Sequence, residues 1–180
     1  KSMPRNQTCS RRLAEANAAK YLAGEASTFV LYRNVFDVFL VDGKFLGLHD
    51  FLTQVLVEET KGTIVEVSNE FGVQCHKGQV VLDRHADLLG QLHSLERHLR
   101  ASHGTAVVVP YADTLMPNED GAFSSSEDRK LGTLFHRWSL DRQLNASDNI
   151  TFLVVEALGA LNQSLLSNPV RWRHRSTPCF

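Results

Sequence analysis

Cysteine is scarce in this chain, and the three present, Cys9, Cys75 and Cys179, are far apart and in no CxxC or Cys/His ligand spacing, which suggests reduced thiols. The fold must therefore be held by packing, with the thiols reduced, and the expected compartment is the cytoplasm. No run approaches eighteen consecutive apolar residues, and Lys1 to Arg12 is polar rather than a charged leader followed by an apolar stretch. Neither a membrane span nor an export signal is read. An excess of charge is also lacking, since nineteen Lys and Arg face twenty Asp and Glu for a net charge of −1. Nothing in that balance attracts nucleic acid or an anionic membrane, and neither is expected as a partner. The Asn-X-Ser/Thr triplets at Asn6, Asn145, Asn149 and Asn162 matter only in a secreted chain. What is present is bulk: 180 residues, 43% of them hydrophobic, suffice for one domain with a self-supporting core.

The apolar pattern alternates between two periods. A polar start and lead-in helix occupy residues 1–27, with Ala14, Ala18, Tyr21 and Leu22 on one helical face and Gly24 as a stop. Thr28-Phe29-Val30-Leu31-Tyr32 reads as a strand, and Leu48, Phe51, Leu52, Val55 and Leu56 then recur at the spacing of an amphipathic helix. Residues 63–67 form a second strand, followed by a helix marked by Leu88, Leu92, Leu95 and Leu99. A third strand at 105–109 precedes a helix carrying Leu131, Leu134, Phe135 and Trp138, whose start is assigned to a capping box of Ser124 and Glu127. The fourth strand spans 150–155, and Leu158, Leu161 and Leu165 line a last helix ended by Asn168-Pro169. Residues 170–180, with Arg171, Arg173 and Arg175, read as a solvated basic tail.

Strands three and four are continuous apolar runs, as burial on both faces requires. The fold class is therefore α/β, a three-layer, mostly parallel sheet with helices on both faces. Ligands of such sheets sit beyond the carboxyl ends of the strands. A phosphate-binding loop there needs glycines whose amides face the phosphates, then Lys and Ser or Thr, in the order GxxxxGK[ST]. That order is absent: Gly43-Lys44 is followed by Phe45 and lacks the earlier glycine. At the end of the third strand Pro110 and Tyr111 offer no carboxylate for Mg²⁺. Asp113 lies close by, in a loop position where Asp is more often a turn or capping residue than a ligand.

The segment Pro110-Tyr111-Ala112-Asp113-Thr114-Leu115-Met116-Pro117, and the run from Asp148 to Asn162, resemble the amino-terminal part of bacterial AAA-family ATPases. In these an ATPase-like domain without a phosphate loop precedes an active one. The order of elements extends the resemblance over Leu13 to Pro169, and implies a degenerate AAA-like domain over 28–169 built on a P-loop NTPase-like core. Active AAA domains place a polar sensor, commonly Asn, where Glu156 stands here, and arginines near Ser167 and Val170, with Arg171 one position away. They also continue into a fifth strand and a helical lid, for which the pattern after Pro169 gives no counterpart.

Other constellations read as structural. His85, His93, His98 and His103 are spaced by eight, five and five rather than three or four, so they point around a helix instead of converging on a metal. Cys75-His76 are adjacent and face apart, Trp138 with Phe135 reads as core, and Asn118-Glu119-Asp120-Gly121 as a solvated turn. The resulting expectation is a non-catalytic regulatory or interaction module without a cofactor, partnered by an active AAA ATPase domain in cis or in trans and prone to self-association. The alternative is a weak nucleotide-binding protein that holds ATP with magnesium at Gly43, Lys44 and Asp113.

Overall fold

The computed structural model describes residues 21–32, 38–56, 60–118 and 125–166. In chain order these form β1 (Thr28–Tyr32), β2 (Val38–Val41), β3 (Lys44–Gly47), the short turn α1 (Leu48–Asp50) running into a π-helical turn at Phe51–Leu56, β4 (Thr63–Ser68) and β5 (Gly72–Lys77). There follow α2 (Leu88–Ala101), β6 (Thr105–Val109), α3 (Ala112–Leu115), α4 (Ser126–Leu140), α5 (Arg142–Asn145), β7 (Ile150–Val155), a 3-10 turn at Leu158–Ala160 and α6 (Gln163–Leu166).

The five-stranded sheet has the order β1-β7-β6-β4-β5. The four expected strands all pair in parallel, with Phe29 opposite Phe152, Val107 opposite Thr151 and Ile64 opposite Ala106. Every residue of β6 is buried, which accounts for its unbroken Thr-Ala-Val-Val-Val. Alternate side chains serve two cores. Val30, Val65, Val67, Val107, Val109, Leu153 and Val155 meet Leu92, Leu95 and Leu99 of α2 and Leu131, Leu134, Phe135 and Trp138 of α4. Phe29, Ile64, Ala106, Val108 and Phe152 turn the other way, onto Leu52, Leu48 and Tyr21. The chain thus crosses from β1 to β4 over one face and returns through α2 and α4 over the other, the arrangement right-handed crossovers impose on this order.

Four local readings need correction. β5 was not expected, because an edge strand buries little: only Val73 of its six residues is buried, and the rest lacks an apolar run. The β2–β3 hairpin was also missed, although Asp42 and Gly43, at φ 47° and 78°, form the two-residue turn that Asp-Gly favours. The capping box at the start of α4 uses Ser125 and Asp128, not Ser124 and Glu127: Ser125 Oγ accepts from Asp128 N and Asp128 Oδ2 from Ser125 N, both at 3.0 Å. The helix drawn through Leu158 and Leu165 is broken, because Leu161 bridges to Pro117, Asn162 N donates to Met116 O, and the Asn162 side chain caps α6. Most of the lead-in helix and the basic tail lie outside the described residues, as do Ser124, Glu119 and Asp120.

The opposite, amino-terminal end of the sheet is tied by polar groups. Lys61, 5% exposed, donates to Asp148 O at 2.7 Å and Asp148 Oδ1 at 2.8 Å, bonds the Tyr21 hydroxyl and lies 4.8 Å from the centre of the Tyr21 ring. These bonds from Lys61 and Tyr21 hold the Asp148 carboxyl below its ordinary range, while burial and Asp148 together push the Tyr21 phenol up. Asn149 receives Thr105 N and donates to Leu99 O, joining β6, β7 and the end of α2.

Candidate functional site at the strand ends

A cleft of about 250 Å³ opens where β4, β6 and β7 end, at the place such sheets reserve for ligands. Its walls are Leu48 and His49 from α1, Glu66 from β4, Pro110 and Tyr111 after β6, and Val154, Val155 and Glu156 from β7. Residues 33–37, which follow β1, lie outside the described residues. After β6 the chain reverses through Tyr111 in the left-handed region at φ 53°, a conformation costing an ordinary side chain about 1–2 kcal/mol. Tyr111 O then accepts from Thr114 N and Oγ1, which closes the turn onto α3.

Glu66 is the best-connected polar group of the cleft. Its Oε2 receives His49 Nε2 at 2.8 Å and His76 Nε2 at 2.9 Å, and the two imidazoles stand 6.4 Å apart. A bulge brings His76 there. Ile64 pairs with Lys77 and Val65 with Cys75, so His76 is the extra residue on β5, and such residues are re-aimed out of the ladder. Glu156, one step past β7, is exposed and has no partner among the described residues. Among the described residues the cleft therefore carries two carboxylates, with His49 its one basic lining residue.

Gly43, Lys44 and Asp113 are not brought together in this cleft. Gly43 and Lys44 are exposed at the β2–β3 turn, where Val41 pairs with Lys44, and the positive φ of Gly43 serves the hairpin. Asp113 lies in the first turn of α3. None of the three lines the cleft. Among the described residues no group of three or more His, Cys, Asp or Glu is arranged to hold a metal ion.

The histidines between 85 and 103 do diverge. His93 is exposed, His98 Nε2 meets Thr105 Oγ1 at 3.2 Å, and His103 Nδ1 meets Ser147 O at 3.0 Å. Cys75 and His76 face apart as expected, since Cys75 Sγ donates to Lys77 O. Trp138 and Phe135 are core, with ring centres 5.0 Å apart. The His49–Glu66–His76 cluster went unseen because its members come from three elements. Its one sequence signal was an acid inside the apolar run Ile64-Val65-Glu66-Val67. No helix among the described residues is long and apolar enough to cross a membrane.

A family model described as the AAA+ chaperone N-terminal Rossmann-like domain matches residues 12–171. No curated protein matches the chain.

Proposed function

Because the chain belongs to the AAA+ chaperone N-terminal Rossmann-like domain family, we propose that it is a module that hydrolyses no ATP and acts by contacting an active AAA+ ATPase domain, in cis or in trans. Its setting would be a larger ATP-dependent remodelling machine. The observation that supports this reading is the charge of the strand-end cleft, where Glu66 and Glu156 stand in the region in which ligands of such sheets sit. Like charges about 4 Å apart repel by about 4 kcal/mol at an effective dielectric of about 20, roughly a thousandfold in affinity. Pro110 and Tyr111 add neither a carboxylate for Mg²⁺ nor a base for water. What remains is the sheet framework and its outer surfaces, which suit contact rather than phosphoryl transfer.

Calorimetric titration of Mg·ATP into the full chain, with phosphate release measured in parallel, tests this. The expected result is no saturable binding at millimolar nucleotide and release at background, both unchanged in Lys44→Ala and Asp113→Asn. Saturable binding that disappears with Lys44 or Asp113 would make the hairpin turn a nucleotide site and overturn the reading.

A further inference from the structure

The helical layer carries an open groove of about 520 Å³ between α2 and α4, which shares no residue with the strand-end cleft. The ion pairs Glu96–Arg137 and Arg100–Asp141 both join residues 41 positions apart, so the two helices run side by side in one direction. Continued toward the helix starts, that register sets Leu89 and His93 of α2 against Lys130 and Leu134 of α4, and all four line the groove. The α4 wall also includes Ser126, Arg129, Thr133 and Arg137. Spacings of three and four place these on one stripe, roughly 16 Å long at about 1.5 Å per residue.

Charge is distributed unevenly along this helix pair. In its far half the two guanidiniums that join the helices meet carboxylates: Arg137 contacts Glu96 at 2.5 Å, and Arg100 contacts Glu96 at 2.8 Å and Asp141 at 2.7 Å. In its near half the cations that line the groove have no such partners among the described residues, Glu127 and Asp128 of the first turn of α4 lying outside the groove lining. Among the described residues Arg129 and Lys130, both exposed, have no ion partner, and they share the groove with His93 and with no carboxylate. Leu89, half-buried, and Leu134, buried, form an apolar floor between the charged rims. A trough between two parallel helices with such a floor and a cationic rim matches an amphipathic helix bearing acids beside its apolar stripe.

We propose that this groove docks an acidic helical segment of a partner protein, whose carboxylates pair with Arg129 and Lys130 and whose apolar side chains rest on Leu89 and Leu134. Nucleic acid fits less well, because Glu127 and Asp128 stand in the first turn of α4 and the chain as a whole is slightly acidic. The paired far half supplies the geometry the partner completes: each cation of the near half lacks only the carboxylate that Glu96 and Asp141 provide further along.

The test is fluorescence anisotropy of a labelled synthetic helix of Glu, Leu and Ala, about five turns long, titrated with the full chain at low and high salt. A Gln-for-Glu version and a short DNA duplex serve as competitors. Saturable, salt-sensitive binding is expected, weakened about tenfold or more in Arg129→Glu/Lys130→Glu. The Gln version should not compete. Thermal melting of the variant, altered only at exposed positions, should match that of the native chain and so exclude misfolding as the cause. Binding that survives the double charge reversal, an absence of binding at low salt, or a duplex that outcompetes the peptide overturns the proposal. Nucleotide binding, measured separately, bears on the cleft alone.

Discussion

Glu96 is 8% exposed on α2, yet its carboxylate takes two guanidinium groups, Arg100 Nη2 at 2.8 Å and Arg137 Nη2 at 2.5 Å. Burial pushes this carboxyl up, but the bonds from Arg100, the nearby Trp138 indole and the charge of Arg137 outweigh it, and the group is held below its ordinary value of 4.5. Among the described residues the Trp138 N–H finds no acceptor in bonding geometry, so its effect on Glu96 is not that of a formed bond. Glu96→Gln should therefore lower unfolding stability by about 2 kcal/mol, measured by urea titration. An unchanged midpoint would show that the network contributes nothing net. Asp141 and Asp148 are likewise held low, Asp141 by Arg100 and backbone amides against the cost of burial, Asp148 chiefly by Lys61. Carboxyls that ionise more readily when folded contribute stability above their unfolded values, and that contribution is lost as pH falls through the lowered folded ones. His98 adds an earlier step of the same sign. Burial lowers it below 6.5, so its share is present above that pH and is lost as pH falls below it. Melting temperature followed from pH 7 to pH 3 should decline in two stages, the first reduced in His98→Gln and the second in Glu96→Gln. A level profile between pH 7 and pH 5 would remove the role given to His98.

Two elements have boundaries that single substitutions can locate. The start of α4 offers two overlapping frames, Ser124 with Glu127 and Ser125 with Asp128, and the second is the one closed by reciprocal bonds. Ser125→Ala should cost about 1 kcal/mol, while Ser124→Ala should be close to neutral, and the reverse ranking would restore the first frame. The β2–β3 turn depends on Gly43 at φ 78°, where an added methyl meets nothing within 4 Å but the backbone is strained for any other residue. Gly43→Ala should cost about 1 kcal/mol in a thermal melt without altering nucleotide behaviour. A stabilising effect would argue against the turn geometry. Neither hairpin nor bulge followed from apolar periodicity, which reports burial and says little of short, exposed strands such as Val38–Val41.

At the scale of the whole molecule, the described sheet ends at β1 on one side and at β5 on the other. Cys75, His76 and Lys77 make the β5 edge exposed and polar, whereas β1 is Thr-Phe-Val-Leu-Tyr. The proposed role rests on contact with an active AAA+ ATPase domain, which association measurements can test. Sedimentation velocity at several concentrations, alone and with an active AAA+ ATPase domain added, should show association that strengthens with that domain. A monomer at every concentration whose sedimentation and melting ignore the added domain would remove the partner from the proposal.

From the sequence alone followed what local periodicity encodes: four parallel strands and the amphipathic helices that precede β6 and β7. Those features depend on neighbours a few residues apart, and burial on one or two faces leaves a direct pattern in Val107-Val108-Val109 or Leu92, Leu95 and Leu99. The tertiary structure alone decided which distant side chains share a site. A bulge one residue long turns His76 onto Glu66 beside His49, and the lateral register of α2 against α4 gives two arginines their carboxylates while Arg129 and Lys130 have none among the described residues. Such meetings are fixed by packing between elements, whose register and rotation no pattern within a single element records.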